Sequence, residues 1–211
     1  MEIDQLVAIT GGKLLSKTTT PTFETICFDS RQATFRETEL FAALRGQHTN
    51  GHQFISSLAA QGTRHFLVDE EVELPDHANV VRVESCLRAL QQLAIYQRSA
   101  FKQTVIGITG SNGKTIVKEW LTAILAPTQY TLSNPKSYNS QLGVALSVWP
   151  LSNRFDLGIF EAGISKPGEM DSLELMIAPT LGIFTNIGPA HEENFNSLEE
   201  KIREKLKLFK R

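Results

Sequence analysis

The sequence predicts an α/β protein: a small mixed α/β N-terminal domain over residues 1–100, then a P-loop-type parallel sheet with helices on both faces over residues 101–211. Three observations carry this expectation. From about Lys102, apolar runs of strand length alternate with helical periodicity, the rhythm of strand–helix–strand units. The strands of that stretch are almost continuously apolar, as strands covered on both faces are. The run Thr104-Val-Ile-Gly-Ile-Thr-Gly-Ser-Asn-Gly-Lys-Thr115 joins a strand to a helix through a glycine-rich turn.

In chain order, Ile26–Phe28 and Glu39–Leu44 read as short strands, and His52–Gln61 as a helix stopped by Gly62. His65–Val68 and Val80–Val83 are strand-like. Ser85–Ser99 is helical, with Leu87, Leu90, Leu93 and Ala94 on one face. The second half gives strands at Thr104–Thr109, Tyr130–Leu132, Leu157–Glu161 and Leu181–Ile187. Helices fall at Thr115–Leu125, Gln141–Trp149, Gly168–Ala178 and Ser197–Phe209. In such sheets ligands gather at the carboxyl ends of the strands, where the distinctive residues of this chain lie.

Composition narrows the function classes. Net charge is −2 and the charges are dispersed, so no basic stripe for nucleic acid exists. The acidic start Met-Glu-Ile-Asp lacks the basic and apolar regions of a secretion signal, and no apolar run reaches membrane-span length. A cytoplasmic protein follows, with Cys27 and Cys86 as buried, reduced thiols.

The glycine-rich turn reads as a phosphate loop for ATP. Its residues are Thr109, Gly110, Ser111, Asn112, Gly113, Lys114 and Thr115. Backbone N–H groups at a helix N-terminus cradle phosphate oxygens, the Lys114 ammonium meets the β/γ-phosphates, and the Thr115 hydroxyl joins a Mg²⁺ shell. The general pattern wants glycine five residues before Gly113, where this chain has Ile108. An ordinary strand-to-helix turn is the alternative reading.

This loop resembles that of the Mur ligases, the family that builds the peptide of bacterial cell-wall precursors, and of the related folylpolyglutamate synthases. Other segments are similar to the family's as well. Ser137-Tyr-Asn-Ser-Gln-Leu-Gly-Val-Ala145 resembles an Asn-Asn-x-x-Gly-Val-Pro stretch, departing at Ser140 and Ala145 and keeping Asn139 and Gly143. Phe160-Glu-Ala-Gly-Ile-Ser-Lys-Pro-Gly-Glu169 resembles the segment whose glutamate binds magnesium, which maps to Glu161. Thr185-Asn-Ile-Gly-Pro-Ala-His-Glu-Glu-Asn-Phe195 resembles the segment supplying an adenine-side Asn186 and a metal-site His191. Asp29-Ser-Arg and Leu40–Phe54 resemble the uridine-diphosphate-binding domain of the ligases acting third and fourth, which the folylpolyglutamate synthases lack.

The resemblance implies an ATP-dependent amide-bond ligase with ATP and Mg²⁺ as cofactors. Its substrates would be UDP-N-acetylmuramoyl-tripeptide and D-alanyl-D-alanine, joined through an acyl phosphate by a monomer. The implied metal and catalytic set is Lys114, Thr115, Glu161, His191 and Lys205. The implied UDP-substrate set is Ser30, Arg31, Gly46, His48, Asn50, Gly51, His52 and Asn139, with a polar surface loop as the alternative for the front residues. Family ligases continue beyond the equivalent of Arg211, so the chain is expected to be a fragment, incomplete at its C-terminus and inactive alone. Two competing readings stay open: the ligase that adds the third amino acid, and a non-catalytic UDP-precursor or ATP-binding module.

Lys205 has a case of its own. Ser197 and Glu200 form a capping box, and Leu198, Ile202, Leu206 and Phe209 then share one helical face. Lys205 falls within that face, so burial would lower its pKa and favour the amine that captures carbon dioxide. The resemblance independently puts a carbamylated lysine here; a lysine snorkelling beside a core stripe is the alternative.

Overall fold

The computed structural model describes residues 1–18, 21–46, 49–189 and 192–210, and of Glu192 only the backbone. Contacts divide the chain into two compact units, Met1–Gln92 and Leu93–Arg211.

The first unit is built on a five-stranded sheet. Helix α1 (Ile3–Thr10) leads into β1 (Lys13–Ser16) and β2 (Thr25–Cys27), and a 3-10 turn follows at Ser30–Gln32. Strand β3 (Glu39–Ala42), a turn at Gly51–Phe54, α2 (Ile55–Ala60), β4 (His65–Val68) and β5 (Asn79–Arg82) complete it, before α3 (Cys86–Ala100). The sheet order is β1-β5-β4-β3-β2, parallel except for β1, which pairs antiparallel with β5. Phe41, Phe66, Val68 and Val80 of the strands bury against Ile55 and Leu58 of α2. Both cysteines are free and buried.

Neither α1 nor β1 is foreseen by the periodicity. The helix has two fully buried residues, Ile3 and Leu6, and closes at Gly11 in the left-handed region at φ 66. Strand β1 is an edge strand without a fully buried side chain. Two short elements with so little apolar signal do not rise above the polar background.

The second unit begins inside α3. It contains β6 (Thr104–Thr109), α4 (Lys114–Leu125), β7 (Thr131–Ser133), α5 (Gln141–Val148), β8 (Leu157–Glu161), α6 (Glu169–Ile177), β9 (Leu181–Phe184) and α7 (Leu198–Leu206). Its sheet is fully parallel, in the order β7-β8-β6-β9. Val117, Leu121 and Leu125 of α4 pack on Ile106, Ile108, Leu157 and Ile159. The opposite face takes the 3-10 turn Lys207–Phe209 where glycines leave room. A Cβ on Gly107 would lie 2.8 Å from Pro179, and one on Gly182 would lie 2.4 Å from the Phe209 ring. The register aligns Ile108 with Glu161 and Thr109 with Phe184, so the carboxyl ends of β6, β8 and β9 finish level.

Helix α7 corrects the sequence expectation. Leu198 and Leu206 are nearly half exposed, at 46% and 47%, and Ile202 is only partly covered. The buried face is Lys201, Glu204, Lys205 and Leu208. The apolar stripe loses because each buried charge has fixed backbone partners, and Glu204 accepts the Gly168 and Met170 N–H groups at 2.8 and 3.2 Å. A carboxylate there satisfies two first-turn donors of α6 and favours the positive end of its dipole. Among the described residues no helix is long and apolar enough to cross a membrane.

Candidate functional site

The loop after β6 is braced by the segment after β9. Ser111 N–H donates to the Asn186 carbonyl at 2.9 Å, and Asn112 N–H donates to Asn186 Oδ1 at 3.1 Å. Thr185 Oγ1 donates to the Asn112 carbonyl at 2.6 Å, and Ser111 Oγ to the Gly188 carbonyl at 3.1 Å. Gly110 has φ 141, and a Cβ there would sit 2.0 Å from Thr185 Oγ1 and 3.0 Å from the Asn186 backbone N and O. Close approach of two backbones thus dictates glycine at 110. Gly113, at φ 78, caps α4 in the left-handed region. The N–H groups of Ser111 and Asn112 are engaged by Asn186, so they do not point into a phosphate cradle. What remains for an anion is the first turn of α4, whose N–H groups at Lys114 and Thr115 have no intrahelical acceptor.

Two lysines converge on one oxygen of this loop. Lys114 Nζ donates to the Gly110 carbonyl at 3.0 Å and to that of Ser111 at 3.3 Å. Lys205, brought in by α7, donates to the same Gly110 carbonyl at 3.1 Å. Burial lowers the pKa of Lys114, partly opposed by Glu161. Lys205 is pushed down to about 8, first by burial and then by the positive charges of Lys114 and Lys201. Lys201 is fully buried and donates to the Gly188 carbonyl.

Glu161 ends β8 with its side chain completely buried. Its Oε1 accepts from Thr115 Oγ1 at 3.1 Å and from Asn139 Nδ2 at 2.8 Å. Its Oε2 is buried without a hydrogen-bond partner. Asn134 holds the Glu161 backbone, accepting its N–H at 2.7 Å, and donates to the Tyr138 carbonyl at 2.6 Å. Gly143 lets α5 start against this loop, since a Cβ there would lie 2.8 Å from the Tyr138 backbone. An orphaned carboxylate oxygen beside a threonine hydroxyl suits a hard divalent cation. His191 lies outside the described residues.

The front unit holds the other predicted residues. Asp29 caps the Ser30–Gln32 turn and grips Arg31 through Nε and Nη2, at 2.9 and 2.7 Å. That hydrogen-bonded ion pair lowers the Asp29 carboxyl to about 2. Asp29 and Gln32 line a cleft of about 280 Å³ with Thr25, Cys27, Arg36 and Glu39, and Ser30 and Arg31 flank it. Gly46 donates to Thr49 O, and Gly51 is buried where a Cβ would meet the Leu44 N at 2.9 Å. His48 lies outside the described residues.

Asn50 and His52 turn inward and do not present free side chains. Asn50 Nδ2 donates to Glu70 Oε2 at 3.0 Å. The His52 ring is 5% exposed, with Nδ1 at 2.7 Å from Asn50 Oδ1 and Nε2 accepting the Asp69 N–H at 3.2 Å. His52, Asp69 and Cys86 offer metal-ligating atoms within 4.8 Å of one another, yet Asp69 also accepts the Cys86 N–H and Cys86 Sγ donates to Leu67 O. Every one of these atoms is already engaged, so the cluster reads as an internal strut.

Sequence reasoning missed Lys118, Asn134 and Lys201. Only Lys118 leaves a sequence signal, as a charge between Val117 and Leu121 on the inward side of α4.

Two family models match this chain. "Mur ligase family, catalytic domain" matches residues 22–98, and "Mur ligase middle domain" matches residues 108–211. The chain is 32% identical over 212 residues to the UDP-N-acetylmuramoyl-tripeptide–D-alanyl-D-alanine ligase of Treponema pallidum, covering 96% of this chain and 46% of that protein. It is 33% identical over 172 residues to the ligase of the same name from Rickettsia prowazekii, covering 82% and 38%. Among solved structures, MurF from Acinetobacter baumannii superposes with a TM-score of 0.90 at 28% identity, over 99% of this chain and 46% of that one. MurF ligase from Thermotoga maritima in complex with ADP gives 0.80 at 28% identity, over 89% and 43%. The chain therefore spans less than half the length of each of these relatives.

Proposed function

This chain belongs to the Mur ligase family, and from that premise we propose that it serves the ATP-dependent joining of D-alanyl-D-alanine to UDP-N-acetylmuramoyl-tripeptide. The observation that carries the reading is the fully buried Glu161, its Oε2 without a partner, set against Thr115 at the end of the phosphate loop.

In this reading the second unit binds ATP and Mg²⁺. The first-turn N–H groups of α4 and the Lys114 ammonium hold the phosphates, with Gly110–Gly113 and Asn186 shaping the loop. Glu161, Thr115 and His191 would hold Mg²⁺, and carbamylated Lys205 would offer its oxygens to a second Mg²⁺. When bound, Mg²⁺ supplies positive charge to phosphate oxygens as negative charge accumulates on them. Lys114, returning from the Gly110 carbonyl to the γ-phosphate, draws the nucleotide towards the substrate carboxylate. That carboxylate takes the phosphoryl group to give an acyl phosphate and ADP, and the incoming amine then displaces phosphate. Ser30, Arg31 and Gly46 of the first unit contact the UDP precursor, while Asn50, Gly51 and His52 keep the front loop in shape.

Calorimetric titration tests the substrate assignment, with UDP-N-acetylmuramoyl-tripeptide, the corresponding dipeptide and UDP-N-acetylglucosamine as ligands. Preference for the tripeptide is the expected result. Preference for the dipeptide would move the assignment to the ligase adding the third amino acid, and binding of ATP alone would leave only a nucleotide-binding module.

The carbamate makes a pH prediction. Lys205 has its pKa lowered to about 8, so its amine fraction grows as pH rises through 8. At that pH it is roughly a hundredfold richer in amine than a lysine of ordinary pKa, about 10.4. Carbamate formation joins the Nζ nitrogen to the carbon of carbon dioxide and releases one proton. In ¹³C-bicarbonate, a carbamate resonance should strengthen between pH 7 and 8.5 and vanish in Lys205→Arg. An unchanged resonance in that variant would discard the assignment.

A further inference from the structure

We propose that Lys118, which belongs to neither the phosphate loop nor the metal set, is the positioning residue that holds the loop bearing Asn134 and Asn139 beneath Glu161. The inference rests on the nucleotide and metal reading given above.

Lys118 lies one helical turn beyond Lys114 on α4 but points into the protein, and it is fully buried. A buried ammonium is costly unless its protons all find acceptors. Here Nζ donates to the Asn134 carbonyl at 2.7 Å and to the Lys136 carbonyl, and Glu119 Oε1 stands 3.1 Å away. Three donors thus meet three acceptors. The Glu119 side chain is 59% exposed, so solvent screens that contact and the two carbonyls do most of the holding.

Those carbonyls belong to a turn with its own strain. Lys136 has φ 51, in the left-handed region that a lysine seldom adopts. The turn carries Asn134, which grips the Glu161 backbone, and Asn139, which donates to Glu161 Oε1. The same helix supplies the Thr115 hydroxyl to that oxygen. One rigid helix thereby sets both sides of the carboxylate: Thr115 directly, and Asn139 through the turn that Lys118 clamps. Without the ammonium, nothing on α4 would restrain the two carbonyls. The turn could then relax its positive φ and carry the Asn139 amide off Oε1.

The consequence is selective. The phosphate cradle is formed by the first turn of α4 and needs no contribution from residues 134–139, so nucleotide binding without metal should survive the loss of Lys118. The gain in affinity that Mg²⁺ brings should not, because it depends on Glu161 being held. Removing the groups that orient a metal ligand typically costs about 10- to 100-fold in metal affinity.

The experiment titrates ADP into the wild-type chain, Lys118→Met and Lys118→Arg, each with EDTA and with Mg²⁺. Lys118→Met should bind ADP normally in EDTA and lose about 10- to 100-fold of the magnesium-dependent gain. Lys118→Arg, which keeps charge and two donors, should recover most of it. If Lys118→Met does not fold, Lys118→Leu takes its place, with no donor on the arm. An unchanged magnesium gain in the neutral variant would overturn the proposal. So would an equal loss with and without metal, since that is the mark of general damage to the unit. Failure of the wild-type chain to bind ADP at all would instead bring down the nucleotide reading, and this inference with it.

Discussion

Gly110→Ala should weaken nucleotide binding by at least about 100-fold and destabilise the second unit by about 2–4 kcal/mol. Two separate costs produce this. At φ 141 any L side chain is strained. The added methyl also falls 2.0 Å from Thr185 Oγ1 and 3.0 Å from the Asn186 backbone. Thr185 cannot turn away freely, because its hydroxyl lies between the Thr109 and Asn112 carbonyls at 3.3 and 2.6 Å. The loop must therefore lift from the segment after β9, and the α4 first turn moves with it. Losing two hydrogen bonds to phosphate, at about 1.5 kcal/mol each or more, already accounts for the hundredfold. Gly113 is the internal control, since a Cβ there meets nothing within 4 Å. Gly113→Asn, in a residue type that tolerates the left-handed region, should cost under about 1 kcal/mol. Denaturant unfolding on both variants, with ADP calorimetry on Gly110→Ala, decides the matter. Equal effects at the two positions would mean that backbone conformation alone sets the loop, without the close approach to Asn186.

The contrast between those glycines shows where the sequence is legible. Both are visible in the motif, but only the fold reveals that one faces a second backbone and the other open space. Strands β6 and β8 announce themselves because both their faces are covered, and Glu161 stands out as a charge ending an apolar run. Helix α7 misleads for the opposite reason. Its apolar residues sit at helical spacing and Lys205 is buried as expected, yet Lys201 and Glu204 also face inward because backbone groups of other segments bind their charges. A side chain that bonds a carbonyl many residues away leaves no periodicity to read. His52 is hidden in the same way, since Asn50 and Asp69 come together around it only when β3 and β4 pair. Thr115, Lys114 and Glu161 were accessible through motif and strand position. The machinery that aims them was not.

Glu161→Gln should separate the metal role of this residue from any structural one. In EDTA its stability should stay within about 1 kcal/mol of wild type, because an amide keeps an oxygen for Thr115 and Asn139 and removes a buried charge. The amide nitrogen would occupy the place of Oε2, which has no hydrogen-bond partner to lose. With Mg²⁺ and ADP the result should be very different. A ligand at about 100 times its dissociation constant stabilises the folded state by about 2.7 kcal/mol, and a hundredfold weaker site leaves about 0.4. Thermal unfolding in EDTA and in Mg²⁺ with ADP measures both quantities on one sample. A variant that loses several kcal/mol in EDTA would identify Glu161 as the counter-charge of Lys114, whose positive charge it already helps to maintain. One that keeps its full magnesium-dependent stabilisation would remove Glu161 from the metal set. Near-equality in EDTA with collapse of the magnesium response is the outcome that a buried carboxylate with one engaged and one empty oxygen requires.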